Sequence, residues 1–211
     1  MNKRRYSLGE EIFNSTSHGI GMLIALASLV LMILISISHG SGIGTLASIV
    51  FGLTLLLLYT SSTLYHALTH EKAKKVFKIL DHCTIYLLIA GTYTPYALLT
   101  IGGNRGLLIF VIIWISALLG ILLNAINLER WKILSIILYL AMGWAIVLYL
   151  PQLIAGLSTG GLVLLIAGGL AYTLGVVFYV VKKIPYFHSV WHLFVLAGSI
   201  CHILSVMLFV L

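Results

Sequence analysis

Seven stretches of about twenty mostly apolar residues follow one another along this chain, at roughly 18–37, 44–66, 80–100, 106–126, 132–150, 160–181 and 188–210. A helix needs about 20 such residues to cross the hydrocarbon layer of a membrane. Inside that layer every backbone N–H and C=O must find its partner within the protein, and for stretches this long the helix is the solution that uses no other segment. The breaks carry turn and charge signals: Gly40, Gly42 and Gly44; the segment 71–78; Gly102, Gly103 and Asn104; Asn127, Glu129 and Arg130; 156–161; and Lys182, Lys183 and Pro185. The spans use up most of the 211 residues, so the expected architecture is an all-α membrane protein, one seven-helix transmembrane bundle over 1–211. With 61% hydrophobic and only 8% charged residues, a soluble globular domain and a disordered chain are both excluded. The polar segment 1–17 followed by a long apolar run lacks a clear cleavage site, and the first span is expected to be retained rather than removed. Cys83 and Cys201 are too few for a disulfide framework and are expected as unpaired thiols.

Charge orients the bundle. The formal charge is +7, and the basic residues are confined to short connections and to the segment before the first span. Lys3, Arg4, Arg5, Lys72, Lys74, Lys75, Lys78, Arg130, Lys132, Lys182 and Lys183 fall on one side of a seven-span layout, and only Arg105 falls on the other. The positive-inside rule then predicts a cytoplasmic N-terminus and an exterior C-terminus. The same dispersal of basic residues, with no aromatic reading surface among them, argues against nucleic acid as a partner. Small residues in 168–175 and 115–120 suit close helix packing, and Pro95 should kink the third span, with Thr92 or Thr94 satisfying freed backbone groups.

Ionisable groups within a membrane are costly and point to function. Under this layout Tyr65 and His66 end the second span, Asp81 and His82 open the third, His188 and His192 open the seventh, and His18 opens the first, all at one level. His70 falls in the following loop, His39 in an outer loop, and His202 about 15 Å deeper than His192 at 1.5 Å per residue. His188 and His192 stand at i, i+4, so both imidazoles project from one helix face, as do Ser62 and His66. A rigid histidine pair with one further histidine from another helix supplies three nitrogen ligands and leaves a fourth position open, the pattern of a catalytic zinc site. Imidazole nitrogen suits zinc better than calcium or magnesium, which prefer oxygen. Asp81 is the only acidic residue in the apolar segments and is expected to act as base or to orient a ligand; Ser62 stands within reach of the same level.

The segments NSTSHGIG (14–21), SSTLYH (61–66), LDHCTIYLLIAGTYTPY (80–96), GGLAYTLGVVFY (168–179) and HSVWHLFVLAGSICH (188–202) resemble the hemolysin III family, bacterial relatives of the progestin and adipoQ receptors in a wider group that includes alkaline ceramidases. The ordered set of Ser-x-x-x-His, an Asp opening the third span and His-x-x-x-His opening the seventh carries the likeness. The resemblance implies seven helices around a zinc ion near the cytoplasmic face, held by His66, His188 and His192, with Asp81 and Ser62 beside it.

The function expected on these grounds is a multi-pass protein of the cell membrane acting as a zinc-dependent hydrolase of a lipid-like amide or ester. Asp81 would be the general base and Ser62 would position water or stabilise the oxyanion. Substrate would enter sideways from the membrane lipid. The ceramidases of the wider group suggest the amide. Two other readings stand beside it: a non-enzymatic sensor or homeostasis protein with structural zinc, and a pore-forming cytolysin, against which the scarcity of polar residues away from one end argues.

Overall fold

A computed structural model describes residues 6–181 and 183–211; the expected contributions of Lys3, Arg4, Arg5 and Lys182 to the charge pattern lie outside them. Among the described residues the chain is helical throughout, with no strand: α1 Leu8–Ser38, α2 Gly42–Ala67, α3 Glu71–Pro95, a π-helical turn Tyr96–Ile101, α4 Gly103–Trp144, a short 3₁₀ turn Ala145–Tyr149, α5 Leu150–Gly156, α6 Thr159–Val180 and α7 Phe187–Phe209. Both cysteines are free.

Polar and apolar residues are distributed inside out relative to a soluble bundle. Leu23, Leu34, Ile115, Leu118, Val163 and Leu174 point outward, while Asn14, Ser28, Ser36, Ser48, Ser62 and Ser205 are buried. In lipid the leucines lose nothing by facing out, and small polar residues let backbones approach and bond across helices. Ser36 Oγ and Ser48 Oγ lie 2.9 Å apart between α1 and α2, and Ser205 Oγ donates to Gly161 O at 2.9 Å between α7 and α6. The glycines expected to serve packing do so: a Cβ on Gly120 would meet the Tyr86 ring at 2.3 Å, and one on Gly175 the Trp191 ring at 2.8 Å.

Among the described residues six helical runs are long and apolar enough to cross a membrane, which points to a multi-pass membrane protein; the expected seven separate spans are not what the helices alone display. The fourth and fifth expected spans are joined, because helix runs without a loop through 103–156. Within α4 the helical geometry breaks at Asn127 (φ −159°, ψ 89°), whose Oδ1 accepts from Arg130 N at 3.0 Å and restarts the helix. Beyond the break α4 folds back on itself: Asn124 Nδ2 donates to Tyr139 Oη at 3.2 Å and Ser135 Oγ to Asn124 Oδ1 at 2.7 Å. A straight helix would separate residues 124 and 139 by about 22 Å.

Two other boundaries differ from expectation. The first helix starts at Leu8, not near residue 18, because Ser7 and Glu10 form a reciprocal capping box (Ser7 N to Glu10 Oε2 2.8 Å, Glu10 N to Ser7 Oγ 3.2 Å). The segment 71–78, expected as a loop, forms the first two turns of α3, capped by His70. Pro95 ends α3 and passes it into the wider π-helical turn, while Thr92 and Thr94 hydroxyls bond Leu88 O and Ala90 O.

The helices pack in a ring. α1 lies on α2 and α7, α2 on α3, α3 on both halves of α4, and α6 on α7. Tyr59 Oη on α2 donates to Ser199 Oγ on α7 at 2.7 Å, closing the centre. Between α4 and α6 contact is sparse, and Trp144 Nε1 on α4 donates to Thr173 Oγ1 on α6 at 3.0 Å across the seam.

Candidate metal centre

The end of α2 and the start of α7 meet at one end of the bundle, joined there by the first turns of α1. His66 and His192 are almost fully buried and His188 half so. One ligand nitrogen from each of the three lies within 4.8 Å of the others. His188 Nε2 and His192 Nε2 are 3.3 Å apart, as the i, i+4 spacing allows, and His66 Nε2 is buried with no hydrogen-bond partner among the described residues. Three imidazoles that bring nitrogens this close, one of them with an otherwise unsatisfied nitrogen, are what a divalent cation relieves. This arrangement can hold a metal ion.

The other nitrogen of His66 is tied down. Glu11 Oε2 lies 2.6 Å from His66 Nδ1, and Glu11 Oε1 accepts from Lys74 Nζ at 2.7 Å. A carboxylate on Nδ1 fixes the ring's tautomer and leaves Nε2 as the lone-pair donor, the arrangement found behind metal-ligating histidines. Asn14 spans the same gap: its Oδ1 accepts from Ser189 Oγ on α7 at 2.7 Å, and its Nδ2 lies 3.5 Å from His66 Nδ1. One turn earlier, Glu10 Oε1 accepts from the Tyr186 backbone N–H at 2.8 Å, holding the left-handed residue (φ 61°) that precedes α7. Tyr6 stacks on His188, ring centroids 4.8 Å apart, and covers the trio from the chain's N-terminal side.

Of the residues expected at the site, His66, His188 and His192 come together. Ser62 sits one turn before His66, buried, its Oγ without a partner among the described residues. Asp81 stands on α3 beside His82, Oδ2 3.6 Å from His82 Nδ1; among the described residues no hydrogen bond joins it to the trio. His82 is held by Lys78 O at 2.8 Å and Tyr179 Oη at 3.2 Å. His18 stacks on His192 (3.7 Å between centroids) with both nitrogens buried and, among the described residues, unpartnered, backing the trio from α1. His70 caps α3 and His39 meets Leu211 O at the far end. Glu11, Asn14 and Tyr6 escaped the reading of the sequence. The capping box at Ser7 was the available signal: it places Glu11, Asn14 and His18 at i, i+3 and i+7 on one face of a helix.

A cleft of about 670 Å³ opens beside His66, lined by Glu11, Ser15, Tyr65, His66, Lys74 and Lys75 among others. A separate, apolar cavity of about 170 Å³ lies further along the bundle behind the α4–α6 seam.

Known proteins give the arrangement a context. The chain is 44% identical over 194 residues to the Hemolysin-3 homolog of Bacillus subtilis (strain 168), covering 92% of this chain and 91% of that one. It is 40% identical over 211 residues to Hemolysin-3 of Bacillus cereus, covering 100% and 96%. More distantly, 159 residues are 31% identical to the Monocyte to macrophage differentiation factor of Homo sapiens, covering 72% and 66%. Residues 6–203 match the family described as Haemolysin-III related, and this protein belongs to it.

Proposed function

We propose that the protein is a zinc-dependent hydrolase of a lipid-like amide or ester, embedded in the cell membrane, with His66, His188 and His192 holding the ion. The observation that carries the reading is His66: one nitrogen is buttressed by Glu11, the other is buried and unpartnered among the described residues, and the ring lies close to the i, i+4 pair. When bound, zinc supplies a Lewis acid that polarises a carbonyl and makes water a nucleophile near neutral pH. The chain's own groups do the rest. Glu11 holds His66 in one tautomer, and Asn14 and Ser189 fix α1 against α7 so that the trio keeps its spacing. Ser62 Oγ–H, having no internal partner, is free to donate to the carbonyl oxygen as negative charge grows there. Asp81 is assigned the proton transfer, taking a proton from the attacking water and returning it to the leaving nitrogen or oxygen.

The proposed membrane layout has seven crossings in a single domain over 1–211, with the 103–156 run counted as two about Asn127. The fold-back of Tyr139 onto Asn124 supports it. The N-terminus is then cytoplasmic and the C-terminus exterior, by the placement of all basic residues but Arg105. Substrate is drawn from membrane lipid, and the two bacterial relatives suit a location in the cell membrane.

The test is turnover of ceramides, acyl amides and acyl esters by protein purified in detergent, beside His192→Ala, with metal content measured in wild type and His188→Ala. About one zinc per chain, lost with His188, and turnover lost with His192 support the reading. Equal turnover in both proteins overturns it. A second reading is favoured by one contact: Tyr6, stacked on His188, helps to close the site, as suits an ion that staples α2 to α7 in a non-enzymatic membrane sensor. Zinc bound by wild type, with no turnover on any substrate, selects that reading.

A further inference from the structure

The cleft beside His66 is built from the ends of three helices: the first turns of α1, the last turn of α2 and the first two turns of α3. Its lysines all come from α3. Lys74 and Lys78, at i, i+4, share one face of that helix, and Lys75 stands next to them. The three are engaged differently. Lys74 Nζ donates to Glu11 Oε1 at 2.7 Å and lies 5.3 Å from the centre of the Tyr65 ring, and its side chain keeps 29% exposure. Lys78 pairs with Glu129, whose side chain is mostly exposed; such a pair is worth little and yields to a second anion. Lys75 is exposed and has no ion-pair partner among the described residues. Of the two carboxylates on the wall, Glu11 is already bonded to His66 and Lys74, and Glu71 stands in the first turn of α3. The wall therefore keeps an excess of positive charge.

The α1 wall is of another kind. Leu8 and Ile12 line the cleft, and both are exposed. At 100° per residue they fall on one stripe with Leu23, Leu26 and Val30, which are exposed as well. The stripe runs from the cleft along the surface that faces hydrocarbon in a membrane, and the ends of spanning helices stand at the level of the polar headgroups. An occupant that uses both features carries an anionic group at one end and hydrocarbon at the other. A soluble anion would use the lysines alone. A choline headgroup brings its own cation toward them and cancels the attraction of its phosphate, whereas a headgroup of net negative charge keeps it.

We propose that this cleft is a binding site for a phospholipid of net negative charge, its phosphate against Lys74 and Lys75 and its acyl chains along the α1 stripe. The lipid shares Lys74 with Glu11, and Glu11 braces His66, so the site reaches the histidine trio through one carboxylate. The site stands whether or not the trio holds an ion.

Native mass spectrometry of the full-length protein in detergent counts bound lipids and gives their dissociation constants. The probes are dioleoylphosphatidylglycerol and dioleoylphosphatidylcholine, which carry the same chains, and inorganic phosphate. One lysine near an anionic headgroup is worth about fivefold in affinity, so the first phosphatidylglycerol should bind at least about fivefold tighter than the first phosphatidylcholine, and Lys75→Ala should lose about fivefold. Lys132, 6.0 Å from the Tyr179 ring and not on the cleft wall, carries the same charge. Lys132→Ala should lose less than about twofold. Glu11→Gln removes the carboxylate that competes for Lys74 and should bind phosphatidylglycerol about fivefold tighter. The wild-type comparison needs no variant, and Lys75, being exposed, is replaceable without disturbing the fold. Equal affinity of wild type for the two lipids overturns the inference, as does an equal loss in Lys75→Ala and Lys132→Ala, which would mean attraction by overall charge. Inorganic phosphate that displaces phosphatidylglycerol at equal concentration would make the ligand a soluble anion and overturn the lipid assignment. A Glu11→Gln protein that binds no tighter overturns the sharing of Lys74.

Discussion

Replacing Glu11 with alanine removes the carboxylate shared between His66 Nδ1, at 2.6 Å, and Lys74 Nζ, at 2.7 Å. His66 then loses the acceptor that selects its tautomer, and its Nε2 is no longer guaranteed a lone pair toward His188 and His192. Loss of such an orienting partner typically weakens metal binding 10–100-fold, or about 1.4–2.7 kcal/mol. Glu11→Gln should fall at the lower end of that range, about tenfold. If its amide oxygen turns to His66, its NH₂ faces the Lys74 ammonium, so one of the two bonds is lost whichever way it lies. Lys74→Ala leaves the Glu11–His66 contact in place and removes a partly exposed ion pair, so it should cost no more than about threefold. Competition for zinc against a chromophoric chelator, in detergent, measures all three beside wild type. The order expected is Glu11→Ala weakest, then Glu11→Gln, then Lys74→Ala close to wild type. A Glu11→Ala protein that binds zinc within about twofold of wild type, while His188→Ala has lost it, would refute the tautomer argument.

Ser62→Ala removes a buried hydroxyl that has no internal partner, so folding and zinc content should be unchanged while turnover falls about 10²-fold or more, measured as kcat on whichever substrate the panel identifies. Gly106→Ala would place a Cβ 2.0 Å from Ala97 O, a backbone atom that cannot swing aside, and should destabilise the protein by roughly 1–3 kcal/mol in detergent unfolding. Tyr6→Ala uncovers His188 and should speed zinc release to a chelator several-fold in stopped-flow, by roughly the worth of one aromatic stack, with less effect on the rate of uptake. An unchanged release rate would mean that the ring does not gate the site.

The histidine trio was legible because two signals coincided. The i, i+4 spacing of His188 and His192 fixes their relative direction on any helix, and the order of apolar segments brings His66 to the same level. Glu11 was not legible by the same route. Hydropathy marks where lipid begins, near His18, whereas the helix begins where its first N–H groups are capped, at Ser7 and Glu10. The ten residues between are helical and polar, and they carry the groups that brace His66. Asp81 drew attention as the one acid inside an apolar segment. The structure sets it on α3 beside His82, while the carboxylate in contact with the trio comes from outside the apolar stretch. The joining of 103–156 has a related cause. Asn127 breaks the helix in a single residue, because its own side chain caps the helix that follows, so the polar residues Asn127, Glu129 and Arg130 mark a bend without a loop.

These placements make the end of the bundle around the histidine trio a mechanical junction. α1 reaches α2 through Glu11 and His66, α3 through Glu11 and Lys74, and α7 through Asn14 and Ser189 and through Glu10 and the Tyr186 backbone. An ion held by His66 and the α7 pair would add a direct tie between α2 and α7 at the same end. Ligand binding to the folded state alone stabilises it by RT ln(1 + [L]/Kd), about 2.7 kcal/mol at a free concentration of 100 Kd. Chelation should therefore lower the unfolding midpoint of wild type and leave that of His188→Ala unmoved. Because Asn14 and the ion brace the same helix ends, Asn14→Ala and chelation should not add independently. The combined loss should differ from the sum by 0.5 kcal/mol or more, the range seen for groups in one network. Strict additivity would mean that the two ties act on separate parts of the bundle, and a chelator effect of equal size in His188→Ala would place the ion elsewhere.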